Sequence, residues 1–197
     1  MAGACDFPAR PSLNALEQPV FWTPETDTSV LHIGAAPGQP QTPRVLADLD
    51  TDVHRASSEG LHISVFTESG RLHLIALKGL WPGQPIAAVI PIDAHGLDRA
   101  QSLTRLLRSL YGLAVPKDTR MTAQQRRRLK NMMRAVDGRM NDADYRQIAE
   151  AIFGVERVAS DPWKTSALRD AVIDLVKDGF AMIDSGYRKL LRHRRRS

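Results

Sequence analysis

Apolar positions recur along this chain in two rhythms, and the change between them divides it. Residues 61–67 (LHISVFT) and 71–77 (RLHLIAL) are rich in β-branched and aromatic side chains, and only ESG separates them. That pattern predicts a β-hairpin. A third apolar run of strand length, 85–93 (PIAAVIPID), follows the turn WPGQP, and shorter strand candidates, 29–34 (SVLHIG) and 44–50 (RVLADLD), precede the hairpin across a Gly/Pro loop. The period then lengthens to that of a helix. Leu103, Leu106, Leu107, Leu110 and Tyr111 share one face, with Gly112 placed to end the element. The first half is thus expected to be a small antiparallel sheet with one helix.

Beyond the connector 115–120 the helical period persists. Thr122 is a suitable N-cap for a helix over 122–140 that gathers Leu129, Met132, Met133, Val136 and Met140 on one face, with Arg126, Arg127, Lys130 and Arg134 mostly off it. A second helix is expected over 144–153. Asp144 and Gln147 have capping-box spacing, Tyr145, Ile148, Ala149, Ile152 and Phe153 point inward, and Gly154 suits a C-terminal cap. Residues 155–162 (VERVASDP) read as a loop. A third helix, 164–184, places Leu168, Ala171, Val172, Leu175, Val176 and Ile183 at helical spacing, and a last helical stretch ends in a basic tail. The fold class is α+β. An irregular Pro-rich arm covers 1–28, a β-rich domain for self-association or partner contact covers 29–116, and a helical domain covers 117–197.

Charge sharpens this division. The net +5 is the sum of unlike halves: residues 1–116 carry 8 Lys and Arg against 11 Asp and Glu, a net of −3, and residues 117–197 carry 19 against 11, a net of +8. Segregated positive charge suits a polyanion at one end of the molecule. The single cysteine, Cys5, excludes an intrachain disulfide and a cysteine-based zinc site. No apolar run reaches the length of a membrane span and no signal peptide is legible, so the expected location is the cytoplasm, without membrane contact.

Catalytic patterns are missing. No P-loop, dinucleotide fingerprint or nucleophile elbow occurs, and the histidines at 32, 54, 62, 73, 95 and 193 are scattered. His62 and His73 face each other across the expected hairpin and with a nearby Asp could ligate metal, although a histidine pair on a sheet is more often packing. Asp170, Asp174 and Asp178 follow one another at single-turn spacing, which is more often a solvated stripe than a metal site. The expectation is no enzyme, no metal and no cofactor.

The helical half does carry a pattern. A helix-turn-helix needs a support helix, a short second helix and a third whose first turn enters the major groove. The three expected helices supply these in order. Lys164, Thr165, Ser166 and Arg169 are residue types that bond base edges and phosphates, although Thr165 or Ser166 would also serve as a helix cap. Arg126, Arg127, Arg146 and Gln147 lie on the other two helices, and Arg188, Lys189 and Arg192 open the tail that continues to Arg194, Arg195 and Arg196. Trp163 reads as a core anchor. The acidic stripe limits close approach to DNA to the beginning of the third helix. The link 154–163 is longer than the usual turn of about 3–4 residues.

The stretches RRRLKNMMRAVDGRMNDADYRQIAEAIFG and WKTSALRDAVIDLVKDGFAMIDSGYRKLLR resemble a proteobacterial family, formerly a domain of unknown function, that forms the DNA-binding domain of type VI secretion transcription factors. Its relatives include activators of the excision and transfer of integrative and conjugative elements in rhizobia, and small antiactivators that bind them. PVFWTPETDTSVL resembles the upstream part of such proteins. The matching positions are Asp144, Tyr145, Arg146, Ile148 and Ala149; Trp163 and Lys164; Leu168, Arg169 and Asp170; and Gly186, Tyr187 and Arg188. The resemblance implies a bacterial transcriptional regulator of secretion or mobile-element genes, whose partner is double-stranded DNA; whether it activates or represses stays open. Some relatives carry an additional N-terminal module, so this chain is expected to be the second part of a longer or split regulator; a homo-oligomer and a regulatory protein partner are left open. The alternative is a protein-interaction module, such as an antiactivator, that does not touch DNA.

Overall fold

The computed structural model describes residues 12–13, 20–160 and 162–192. Much of the expected arm, Cys5, His193 and Arg194–Arg196 lie outside the described residues. The chain forms two units: residues to Arg120 together with those from Leu191, and Met121–Leu190.

The first unit is built on a five-stranded sheet of order β2-β3-β4-β1-β5. Its strands are β1 (Leu31–Ala35), β2 (Thr51–Ala56), β3 (Gly60–Thr67), β4 (Gly70–Leu77) and β5 (Ile86–Val89). The expected hairpin is β3–β4, paired antiparallel from Gly60↔Leu77 to Thr67↔Gly70. The sheet is mixed rather than purely antiparallel. β1 lies between β4 and β5, parallel to β4 in the register Leu31↔Leu74 and antiparallel to β5. The reason lies in its side chains: Val30, Leu31 and Ile33 are all buried, so this strand needs cover on both faces and takes an interior place. Residues 44–50 do not form a strand. The Asp48 carboxylate accepts the Val45 N–H at 2.9 Å, which closes a 3-10 turn over Leu46–Asp48 and leaves Leu49 buried in the core. The strand lies just beyond, in β2, which lacks an apolar run.

Helix α1 (Gly96–Leu110) covers one face of the sheet, with Leu106 buried and Leu103 and Leu110 packed on Leu31, Ile33, Ile63, Val65, Leu72 and Leu74. Leu107 and Tyr111, expected on the same face, are exposed. On the other face Phe21 lies against the rings of His62 and His73, with centroids 5.7 and 4.9 Å away. Next to them Arg120 holds Asp118 at 2.6 Å and Asp27 at 2.8 Å, and Arg105 bonds Ser69.

The second unit is helical: α2 (Ala123–Met140), α3 (Tyr145–Phe153), α4 (Val155–Ala159) and α5 (Ala167–Asp184). Both expected capping boxes form. Thr122 and Gln125 exchange bonds at 3.2 and 2.8 Å, and Asp144 and Gln147 do so at 2.8 Å each. The expected loop 155–162 contains α4 instead. Gly154, at φ +95°, turns the corner from α3, and the buried Val158 ties the new helix to the core. A 3-10 turn, Trp163–Thr165, follows, so α5 starts three residues later than the expected 164.

Met132, Ala135, Ile148, Ala149, Val158, Val172, Leu175 and Val176 form the core of this unit, and Trp163 packs against it. Met133 and Met140 do not join it, being 74% and 70% exposed. Where α2 meets α5, Gly179 lets the backbones approach. A Cβ there would lie 2.5 Å from Val136 Cγ2 and 3.1 Å from the Met132 carbonyl oxygen. Gly179→Ala would gain about 1 kcal/mol of helix propensity, but overpacking of this kind costs about 1–3 kcal/mol. Net destabilisation of up to about 2 kcal/mol is expected from urea unfolding. A more stable variant would mean that the helices separate freely.

Candidate nucleic-acid interface

The helical unit displays its cations by the period of α2. Met132, Ala135 and Val136 turn inward, which leaves Arg126, Arg127, Lys130 and Arg134 on the opposite, exposed face. Among the described residues none of these four has an ion pair or a side-chain hydrogen bond. Arg128, between them in sequence but turned toward α5, bonds Asp178 at 2.6 Å. Sequence reasoning named Arg126 and Arg127 and omitted Lys130 and Arg134, although their helical spacing places all four on one stripe.

The other candidates stand in different circumstances. Arg146 is exposed and pairs with Glu150 at 3.2 Å, one turn along α3. Gln147 is occupied in the capping box, its Oε1 accepting the Asp144 N–H. Lys164 and Thr165 lie exposed in the 3-10 turn before α5 rather than in its first turn, and the Thr165 hydroxyl donates to the Pro162 carbonyl at 3.4 Å. Ser166 is buried and is the N-cap, its Oγ accepting the Leu168 N–H at 3.2 Å. Arg169 is half-exposed, 3.7 Å from Asp170. Arg188 and Lys189 are exposed in a 3-10 turn over Gly186–Leu191, whereas Arg192 belongs to the first unit and donates to the Glu25 carbonyl at 2.8 Å.

The acidic line of α5 is partly neutralised from a direction the sequence does not reveal. Asp178 receives Arg128 of α2. Asp174 and Arg127 line one groove of about 490 Å³ between α2 and α5. The chain therefore offers a continuous positive stripe on α2, a paired seam between α2 and α5, and a polar turn at the entry to α5. A stripe without internal partners is the arrangement that exchanges small counterions for phosphates.

The link from α3 to α5 is not a tight turn, since it holds α4 and the 3-10 turn. A helix-turn-helix in the strict sense is not what joins these elements. In the first unit His62 and His73 do meet across the hairpin, Nδ1 to Nε2 at 3.0 Å, with His62 Nε2 on the Ser57 hydroxyl at 2.9 Å. Among the described residues no group of three or more His, Cys, Asp or Glu could hold a metal, and no helix is long and apolar enough to cross a membrane.

A family model described as a T6SS transcription factor DNA-binding domain matches residues 89–192, more than half of the chain. The match begins at the end of β5 and so takes in α1 as well as the whole helical unit. No curated protein matches the chain.

Proposed function

The chain belongs to the family of T6SS transcription factor DNA-binding domains, and from that premise we propose that its helical unit grips duplex DNA through the α2 stripe and reads sequence from the entry to α5. DNA binding follows from the family; the assignment of roles within it is our reading. Its main support is the set of four exposed cations on α2 that have no protein partner among the described residues. Arg146, Arg188 and Lys189 extend the phosphate contact. Lys164, Thr165 and Arg169 meet the groove edge. Ser166 and Gln147 act indirectly, by fixing the starts of α5 and α3. The regulated genes are those of secretion or mobile-element transfer, and the location is the cytoplasm.

A gel-shift of the chain against DNA upstream of its own and neighbouring genes tests this. A shift that survives excess random competitor is expected, and Arg169→Ala should weaken it by about 1–3 kcal/mol, the usual value of one base contact. A shift abolished by competitor removes the sequence-reading role. Equal binding by wild type and variant removes Arg169 from it.

A second reading has its own support. Met133, Met140, Met182, Ile183 and Leu190 line an apolar groove of about 600 Å³ on the helical unit. Flexible methionine surfaces suit protein partners, so the chain would act by holding another regulator. Binding through that groove would resist salt, whereas binding through the α2 stripe would not.

A further inference from the structure

A cavity of about 480 Å³ in the first unit, beside the start of α1, is bordered by Glu25, His32, Glu59, Asp93, Arg99 and Arg192. Arg99 is only 5% exposed. Both of its hydrogen bonds to Asp93, at 2.8 and 3.0 Å, come from the same nitrogen, Nη1. A guanidinium usually meets a carboxylate with two nitrogens in a fork. Here the fork stays open: Nε is buried with no partner, and Nη2 makes no hydrogen bond among the described residues. Asp93 is kept from that edge because its Oδ1 also accepts the His95 N–H at 2.7 Å, at the start of α1. A buried donor without an acceptor is rare in a native protein and points to a missing acceptor.

The opposite need exists on the same cavity. Glu25 and Glu59 border it, and their carboxylates have no ion pair or hydrogen bond among the described residues. His32, on β1, lies among these charges. Burial lowers its pKa, with Glu59 and Glu25 opposing that and Arg99 adding to it, so the ring stays neutral near pH 7. A simple anion would meet Arg99 but be repelled by the two glutamates. A simple cation would meet the glutamates but be repelled by Arg99 and Arg192. A compound carrying both charges complements both sides, and the volume lies within the usual range of small-molecule sites.

We propose that this cavity binds a small zwitterion of the free α-amino acid class, its carboxylate on the open edge of Arg99 and its ammonium between Glu25 and Glu59. The site is independent of the DNA reading, being built from the first unit alone.

Saturation-transfer NMR and calorimetry of the full chain with each of the twenty proteinogenic L-amino acids would test it, with acetate, inorganic phosphate and n-butylamine as probes of each charge alone. At least one amino acid should bind with a Kd of about 1 mM or tighter, and each single-charge probe about tenfold more weakly or not at all. Glu59→Gln and Glu25→Gln change exposed side chains, so the fold should persist by circular dichroism, and each should weaken the amino acid about tenfold. The proposal is overturned if no amino acid binds, if acetate, phosphate or butylamine binds as tightly, or if both variants bind like the wild type.

Discussion

Replacing Arg126, Arg127, Lys130 and Arg134 together by alanine is expected to lower the affinity for duplex DNA about a thousandfold near 0.1 M salt. The estimate comes from counterion release. Each phosphate neutralised contributes about 0.9 to the slope of log K against log salt, so four contacts contribute between about 3 and 4. The four side chains are exposed, lie opposite the buried Met132, Ala135 and Val136, and have no protein partner among the described residues to lose. Alanine is also the best helix former, so α2 should persist and the melting temperature should change little. Arg128→Ala serves as an internal control. Its charge is already met by Asp178, so it should change the slope less than any member of the stripe. Fluorescence anisotropy on one duplex at several salt concentrations measures all of this. A quadruple variant with an unchanged slope would move the DNA surface elsewhere on the protein.

The stripe was half legible in the sequence, for a physical reason. Helical period alone places Arg126, Arg127, Lys130 and Arg134 away from the core. The same period puts Met133 and Met140 on the inward flank, yet they are exposed. Periodicity tells which residues share a face, not how wide a strip the neighbouring helix covers. Caps were legible for the opposite reason: Thr122 with Gln125 and Asp144 with Gln147 are contacts between near neighbours, complete within one turn. That locality also explains the uncertain roles at the entry to α5. Ser and Thr cap helices with the same hydroxyl they would offer to DNA, and at Ser166 the buried cap takes it.

What the sequence conceals depends on distant residues. The place of β1 between β4 and β5 is decided by burial on both faces, which no local pattern encodes. The buried arginines of the first half are the sharper case. Its net charge of −3 suggests a solvated acidic surface, yet Arg99 and Arg105 are buried, and Arg120, from the connector beyond that half, spans to Asp27, 93 residues earlier in the chain. Counting charge divides the chain into unlike halves. It does not show which charges are consumed inside, and in the first unit that consumption leaves, among the described residues, an unmatched Arg99 edge and two carboxylates without an ion pair on one cavity.

Acid is expected to destabilise the sheet unit well before its carboxylates titrate. His73 is held at a pKa of about 3, first by burial and then by its neighbours His62 and His32. Its Nε2 meets His62 Nδ1 at 3.0 Å, Phe21 lies against both rings, and its buried Nδ1 has no partner among the described residues, so a proton there would be a charge without an acceptor among them. The unfolded chain takes up that proton near pH 6.5 and the folded chain only near 3, so between these values the unfolded state binds more protons. Stability conferred by a neutral His73 is therefore complete above pH 6.5 and lost as pH falls, at about 1.4 kcal/mol per unit. At pH 4.5 the loss is about 3 kcal/mol, a large share of the about 5–15 kcal/mol typical of a whole domain. His32, lowered by burial, acts in the same direction. Asp118 is also depressed, because hydrogen bonds and attraction from Arg120 and Arg105 outweigh the upward push of burial, but its contribution fades only below the ordinary carboxylate range. Urea unfolding followed through the amide signals of β3 and β4 between pH 7.5 and 4.5 reads the slope. His73→Leu should flatten it by about one proton, whatever it does to stability at pH 7.5. If wild type and variant lose stability in parallel between pH 6.5 and 4.5, the buried histidine pair is not what makes the sheet unit sensitive to acid.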